Sequence, residues 1–223
     1  VVLQSRKKRI KKSVSLESKL AEGVATLGIS LPKGAAVRLL QYLALVEKWG
    51  KVYNLTAVRE PEAMLSRHLF DSLAVLPHMT GTRIADVGSG AGLPGIPLAL
   101  VRPDWRVVLF ESNQKKAVFL QQARIELGLK NVEVVGERVE NFHPNEKFDT
   151  VISRAFSSLA VYIRLAGHLC REDDKKGVIV AMKGARPEEE LAQIPEQFVI
   201  DKIFPVIVPN LEEKRHLVFI KRK

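Results

Sequence analysis

Residues 86–95 run Asp86-Val87-Gly88-Ser89-Gly90-Ala91-Gly92-Leu93-Pro94-Gly95. They stand directly behind a β-branched run, residues 83–87, and ahead of an apolar helical run, residues 95–101. Glycines where a strand gives way to a helix let the backbone approach a ligand closely and aim amide N–H groups at it. A nucleotide-like cofactor is the natural guest of such a crook. Glu111 lies 25 residues beyond Asp86 at the end of the next extended run. A carboxylate there accepts hydrogen bonds from both hydroxyls of a ribose.

Gly90 to Gly95 also satisfies the spacing of a dinucleotide loop. A pyrophosphate, however, needs free N–H groups at the helix start, and Pro94 and Pro97 remove two of them. Asp86, just ahead of the glycines, opposes a pyrophosphate but suits a ligand carrying an ammonium and a sulfonium. The series acid-x-Gly-x-Gly-x-Gly therefore favours S-adenosylmethionine, with Asp86, Gly88, Gly90, Gly92 and Glu111 as cofactor-binding candidates. A plain turn would not need three alternate glycines, each entropically expensive to order.

Beyond the loop, short β-branched strands alternate with helices. The strands are expected over 83–87, 107–111, 132–135, 149–153 and 178–182, with helices near 95–101, 114–127, 157–169 and 187–193. Such alternation predicts a mostly parallel sheet covered on both faces. Two further extended stretches, 198–207 and 215–221, flank a turn at Pro209-Asn210-Leu211 and predict an antiparallel hairpin at one edge. The fold class is thus α/β and Rossmann-like, with seven strands. Before the sheet the period is helical: Leu16, Leu20, Val24 and Leu27 mark a first helix, Pro32 opens a second that runs to Gly50, and Pro61 opens a third through Leu76. Residues 15–80 form a helical cap in this scheme, and 81–223 the cofactor-binding core.

The charge balance bounds the partners. Among 223 residues, 35 Lys and Arg against 25 Asp and Glu give a net charge of +10. Six of the positive charges lie in residues 6–12, so the remainder carries only +4. Residues 1–14 are expected to be a disordered basic arm, and a polyanionic partner fits the excess. One cysteine forms no intramolecular bridge, which points to a reducing, cytoplasmic setting. The longest nearly apolar run, residues 93–101, is nine residues broken by Pro94, Gly95 and Pro97, so no membrane span is expected. Nor do residues 13–23 supply the apolar stretch of a secretory leader.

From about Leu16 to Ile220 the chain resembles the GidB/RsmG methyltransferases. The marks are Trp49-Gly50-Lys51-Val52-Tyr53-Asn54-Leu55-Thr56-Ala57, Arg67-His68-Leu69-Phe70-Asp71-Ser72-Leu73, the loop from Asp86 to Pro97, Phe148-Asp149-Thr150-Val151-Ile152-Ser153-Arg154-Ala155-Phe156, and Met182-Lys183-Gly184. Five motifs in one order are far more specific than any alone. The resemblance implies S-adenosylmethionine-dependent methylation of N7 of a guanosine in the 530 loop of bacterial 16S ribosomal RNA. It places cofactor contacts on Gly88, Leu93, Glu111, Val139, Glu140 and Arg154. The implied partner is that RNA, naked or in a small-subunit particle or assembly intermediate; the sequence does not give the oligomeric state, and a monomer is favoured.

The residues present and absent agree with a ring-nitrogen target. Guanine N7 offers a lone pair and no proton, so the transfer needs positioning and charge management more than a general base. A 5-methylcytosine enzyme needs a nucleophilic cysteine, whereas Cys170 sits in an apolar helix end as a packing residue. Amino-group methylation typically shows Asp/Asn-Pro-Pro-Tyr/Phe after the fourth strand, where this chain has Ser153-Arg154-Ala155-Phe156. Arg154 and Lys183, both at strand ends, are positioning candidates: Arg154 for a phosphate, the cofactor carboxylate or guanine O6, or else in a surface ion pair, and Lys183 for a phosphate. Phe156 either stacks on the base or packs in the core. Substrate-side candidates are Asn54, Thr56, Arg67, His68 and Lys183. Asn54 and Thr56 also suit a turn and helix cap. His68 and Asp71, three apart, share a helix face, either with Asp71 orienting His68 or within a buried network. Lys214, Arg215 and residues 221–223 are expected to be solvated ends, with RNA contact as the alternative. No metal site is expected. An NAD(P)-linked oxidoreductase, a methyltransferase of another RNA and a catalytically idle RNA-binding protein are the alternatives.

Overall fold

The computed structural model describes residues 15–154, 156, 158–172 and 177–223. The expected basic arm, residues 1–14, lies outside them. Helix α1 (Leu16–Thr26) starts where Ser15 Oγ accepts the Ser18 N–H at 3.2 Å. Helix α2 (Ala35–Tyr53) buries Leu39, Tyr42, Leu43 and Val46 along one stripe and stops at Asn54, whose φ of 52° is left-handed.

The third helix departs from the expected continuous run. It opens at Pro61 as α3 (Pro61–Met64), widens into a π-helical stretch (Leu65–Phe70), and returns as α4 (Asp71–Leu73). Such widened turns are rare and concentrate at functional sites. Sequence periodicity cannot reveal one, because an insertion of a single residue in the turn shifts the stripe without breaking it. Packing seats the segment: a Cβ on Gly23 of α1 would fall 2.1 Å from the Phe70 ring, so only glycine admits that ring.

Seven strands follow: β1 (Arg83–Val87), β2 (Arg106–Phe110), β3 (Val132–Val135), β4 (Thr150–Arg154), β5 (Val178–Lys183), β6 (Phe198–Pro205) and β7 (His216–Arg222). Between them lie α5 (Gly95–Val101), α6 (Gln114–Glu126), α7 (Leu159–Ala166) and α8 (Glu188–Leu191). Their order across the sheet is β3-β2-β1-β4-β5-β7-β6. As expected, the first five are parallel and an antiparallel hairpin closes one edge; within it β7 lies between β5 and β6.

Alternation along the strands divides the core. Ile84, Leu109, Ile152 and Val180 join α1, α2, α5 and α6 on one face, while Ala85, Val108, Val151 and Ile179 join α7 on the other. Helices before the sheet therefore share a core with it. Strand order reverses between β1 and β4, the place where open α/β sheets bind ligands at the strands' carboxyl ends.

Candidate active site

The glycine loop leaves β1 at this reversal. Gly88 and Gly90 have φ of 72° and 58°, which residues with a Cβ rarely adopt. The Gly88 and Ser89 N–H groups both donate to the Phe110 carbonyl, at 2.9 and 3.1 Å, pinning the loop across the end of β2. A Cβ on Gly90 would meet only the Gly88 carbonyl oxygen, 3.9 Å away, so the loop is open there. Gly92 and Leu93 turn inward, where a Cβ on Gly92 would strike Ile96 at 2.5 Å and Leu93 is buried.

Glu111 lies one residue past β2 and is 8% exposed. Oε2 accepts the Gly90 N–H at 2.9 Å and Oε1 the Asn113 N–H at 2.8 Å. The glycine loop and the acid at the end of the second strand, both singled out in the sequence, are therefore in direct contact. Each carboxylate oxygen keeps further lone-pair capacity for a hydroxyl.

Asp86 differs from its expected role. It is fully buried beneath the loop, with Oδ2 accepting the Gly95 N–H at 2.9 Å and Oδ1 unpartnered among the described residues. A Cβ on Gly95 would press within 2.7 Å of that carboxylate, so the helix start closes directly over it. Burial, partly offset by the Gly95 N–H, raises its pKa from 3.8 to about 7. Asp86 is a brace for the loop and, at neutral pH, only a partial negative charge.

Tyr42 is a contributor that motif reading missed. Its hydroxyl donates to the Ala91 carbonyl at 2.7 Å from a fully buried ring, linking α2 to the loop's apex. The stripe of α2 marks the position as core, but nothing local signals the hydroxyl's task. Val139 and Glu140 begin the single turn Val139–Asn141 after β3. Val139 is buried with Phe110 and Val135, and Glu140 pairs with Arg138 at 3.5 Å. The Phe156 ring is half-buried, 3.6 Å from where a Cβ on Gly88 would stand and 5.2 Å from the Tyr162 ring.

Arg154 ends β4 and points to the helical segment. Its Nη1 donates to the Arg67 carbonyl at 2.8 Å and to Asp71 Oδ2 at 3.0 Å. Asp71 Oδ1 accepts Arg215 Nε at 2.8 Å, so the Asp71 carboxylate is spent on two arginines. Two expectations change accordingly. Asp71 does not orient His68, and Arg215 is part of the site instead of a solvated end. His68 is buried, and its Nε2 meets Thr56 Oγ1 at 3.0 Å. Thr56 Oγ1 also accepts the Val58 N–H at 3.1 Å, and His68 Nδ1 has no hydrogen-bond partner among the described residues. Burial holds the imidazole neutral, with its pKa lowered from 6.5 to about 4.

Lys183 also departs from its expected phosphate contact. Its ammonium donates to both oxygens of Glu190, at 3.0 and 2.8 Å, and to the Phe156 carbonyl at 3.3 Å, which uses all three of its N–H groups. Glu190 further accepts the Leu159 N–H at 2.6 Å, so Lys183 is a strut under the loop after β4. Asn54 is exposed and closes α2, and the Arg67 guanidinium pairs with Glu213. Cys170 is buried, and burial pushes its thiol to about 12, consistent with a packing role.

Comparison with known proteins places this arrangement. Among solved structures, a SAM-dependent methyltransferase from Aquifex aeolicus superposes with a TM-score of 0.51 at 18% identity, covering 71% of this chain and 92% of that one. TrmN from Thermus thermophilus gives 0.51 at 16% identity, covering 68% and 47%. At these identities the likeness is one of fold. Sequence relatives are much nearer. The Ribosomal RNA small subunit methyltransferase G of Nitrosospira multiformis is 64% identical over 209 residues, covering 92% of this chain and 97% of that protein. The protein of the same name from Laribacter hongkongensis is 51% identical over 205 residues, covering 92% and 98%. The model of the GidB family, described as rRNA small subunit methyltransferase G, matches residues 36–218. With the glycine loop, its acid and the strand-end arginine all inside that span, the chain belongs to the GidB family of ribosomal RNA small subunit methyltransferases.

Proposed function

We propose that this protein transfers a methyl group from S-adenosylmethionine to N7 of a guanosine in the 530 loop of 16S ribosomal RNA. The observation that carries the cofactor half is the Glu111–Gly90 contact at the reversal of strand order. It sets a carboxylate for ribose hydroxyls beside open loop backbone at Gly90. The unpartnered Asp86 Oδ1 under that loop suits a cationic ligand above it. Relatives named for ribosomal RNA support the substrate class, the sequence after β4 supports a ring-nitrogen target, and N7 of that guanosine is what the resemblance to the GidB/RsmG family implies.

The cofactor supplies an electrophilic methyl on sulfonium. The protein's share is geometric and electrostatic. Glu111, beside the open backbone at Gly90, orients the nucleoside end, while Phe156, against Gly88, walls the crevice at the end of β4. No residue need take a proton from N7, so the neutral His68 and the inert Cys170 fit a site without a nucleophile or general base. Attack and departure must be in line, and holding two reactants in that line contributes about 7–11 kcal/mol of a barrier when the alignment is good.

Two measurements test the proposal. Titration with S-adenosylmethionine and, separately, NADH should show binding of the first alone. Borohydride–aniline cleavage with primer extension on 16S RNA, from cells with and without the gene, should show an N7-methylguanosine stop in the 530 loop only when the gene is present. An unchanged stop removes the assigned nucleotide.

A further inference from the structure

The π-helical stretch has a definite hydrogen-bond consequence. In an α-helix the Asp71 N–H would go to the Arg67 carbonyl, four residues back. Here it goes to Ser66, five back, as well as to His68. The Arg67 carbonyl is thereby able to take Arg154 Nη1 at 2.8 Å. The same widening sets the Asp71 carboxylate, 4% exposed, between Arg154 and Arg215, themselves only 24% and 21% exposed. Residues 71, 154 and 215 thus meet from α4, the end of β4 and the approach to β7.

One carboxylate on two guanidiniums leaves an excess positive charge in a place largely withdrawn from water. A bridge serving only to fasten the helices to the sheet would need a single partner, and an apolar contact would serve as well. The excess faces a pocket of about 360 Å³ lined by Asp71, Arg154, Met182, Lys183, Gly184 and Arg215. Lys183 adds little there, being neutralised by Glu190. The wall is therefore set for an electron-rich edge, such as a purine carbonyl, presented beside the methyl-transfer crevice.

We propose that Asp71 is a positioning residue for methyl transfer, fixing the Arg154 and Arg215 guanidiniums on the wall of this pocket from its seat on the widened helical turn. The inference rests on the methyltransferase reading of the site. Asp71 touches no reacting atom in it. Its effect passes through the two arginines.

The test uses the full chain and its Asp71→Asn, Arg215→Lys and doubly substituted variants. Asp71→Asn keeps the size of the side chain but removes its charge. It should lower kcat/KM for 16S RNA by on the order of 100-fold, most of it in kcat, as misplacement by about 1 Å does. Melting should fall by only a few degrees. The double variant should be little worse than either single one, because both break the same unit. The Arg215 Nε–H resonance, held by Asp71 Oδ1, and the Arg154 Nη–H resonances, held by Asp71 Oδ2, should lose their protection from exchange in Asp71→Asn. Wild-type kcat in Asp71→Asn, additive losses in the double variant, or unchanged arginine resonances would each overturn the proposal. Absence of methyl transfer by the wild-type protein is a different result: it removes the methyltransferase reading, whatever the arginine resonances do.

Discussion

Glu111 and Gly90 are tied by a 2.9 Å hydrogen bond from the glycine N–H to the carboxylate, and the other carboxylate oxygen holds the Asn113 N–H at 2.8 Å. A single side chain thus fixes the loop after β1 and the turn before α6. Its orientation toward a ribose is set by backbone on both sides, so little conformational freedom is left to lose when a ligand binds.

Glu111→Ala removes that anchor and the acceptor proposed for the ribose. Hydrogen bonds to a charged group contribute about 1.5–3 kcal/mol. The dissociation constant for S-adenosylmethionine should rise by about 10- to 150-fold in calorimetric titration. A change of less than about threefold would separate the carboxylate from the cofactor.

Asp86 should report cofactor binding as a proton. Its pKa of about 7 leaves it part-protonated at neutral pH. A sulfonium and ammonium placed above the loop favour the ionised form, so binding should release a fraction of a proton near pH 7. Calorimetry in buffers of different ionisation enthalpy measures it, and Asp86→Asn should abolish the buffer dependence. A release that persists in Asp86→Asn would assign the proton elsewhere.

Tyr42→Phe isolates the support of the loop from above. The hydroxyl bonded to the Ala91 carbonyl is fully buried, so its removal leaves that carbonyl without its side-chain partner. Stability in urea should fall by about 1–3 kcal/mol. Cofactor affinity should weaken as well, because Ala91 lies between Gly90 and Gly92. Unchanged affinity would mean that the loop holds its shape through Glu111 and the Phe110 carbonyl alone.

The sheet and the glycine loop were legible because their signals are local. Alternation of β-branched strands and helices, the three glycines and Glu111 all sit within a few residues of the feature they build. The parallel sheet and its antiparallel edge hairpin matched expectation for the same reason, whereas the order of the strands across the sheet is not written in any local run. The site's polar contacts were not legible. Arg215 looked like part of a solvated end because its partner, Asp71, is 144 residues away in sequence. Lys183 looked available for a phosphate because Glu190 lies in a short acidic run that sequence reads as surface. The widened turn at residues 65–70 conceals itself in the same way: the helical stripe continues, and only the hydrogen-bond register shows that Asp71 has been turned toward Arg154.

His68 and Asp86 should pull the pH dependence of stability in opposite directions. His68 has a folded pKa near 4 against 6.5 unfolded, so the folded state resists protonation. Its contribution is complete above about pH 6.5 and is lost as pH falls toward 4. Asp86 has a folded pKa near 7 against 3.8 unfolded, so the folded state holds the proton longer. Its contribution is complete below about pH 3.8 and is lost as pH rises through 7. Each contributes a slope of at most about 1.4 kcal/mol per pH unit inside its window, and the windows overlap from about pH 4 to 6.5. The wild-type protein should therefore show a shallow profile there in urea unfolding. Asp86→Asn should expose the histidine's slope, with stability rising as pH rises, and His68→Gln should expose the aspartate's, with stability falling. If both variants keep the wild-type profile, neither group is held away from its ordinary ionisation by the fold, and the brace assigned to Asp86 loses its electrostatic basis.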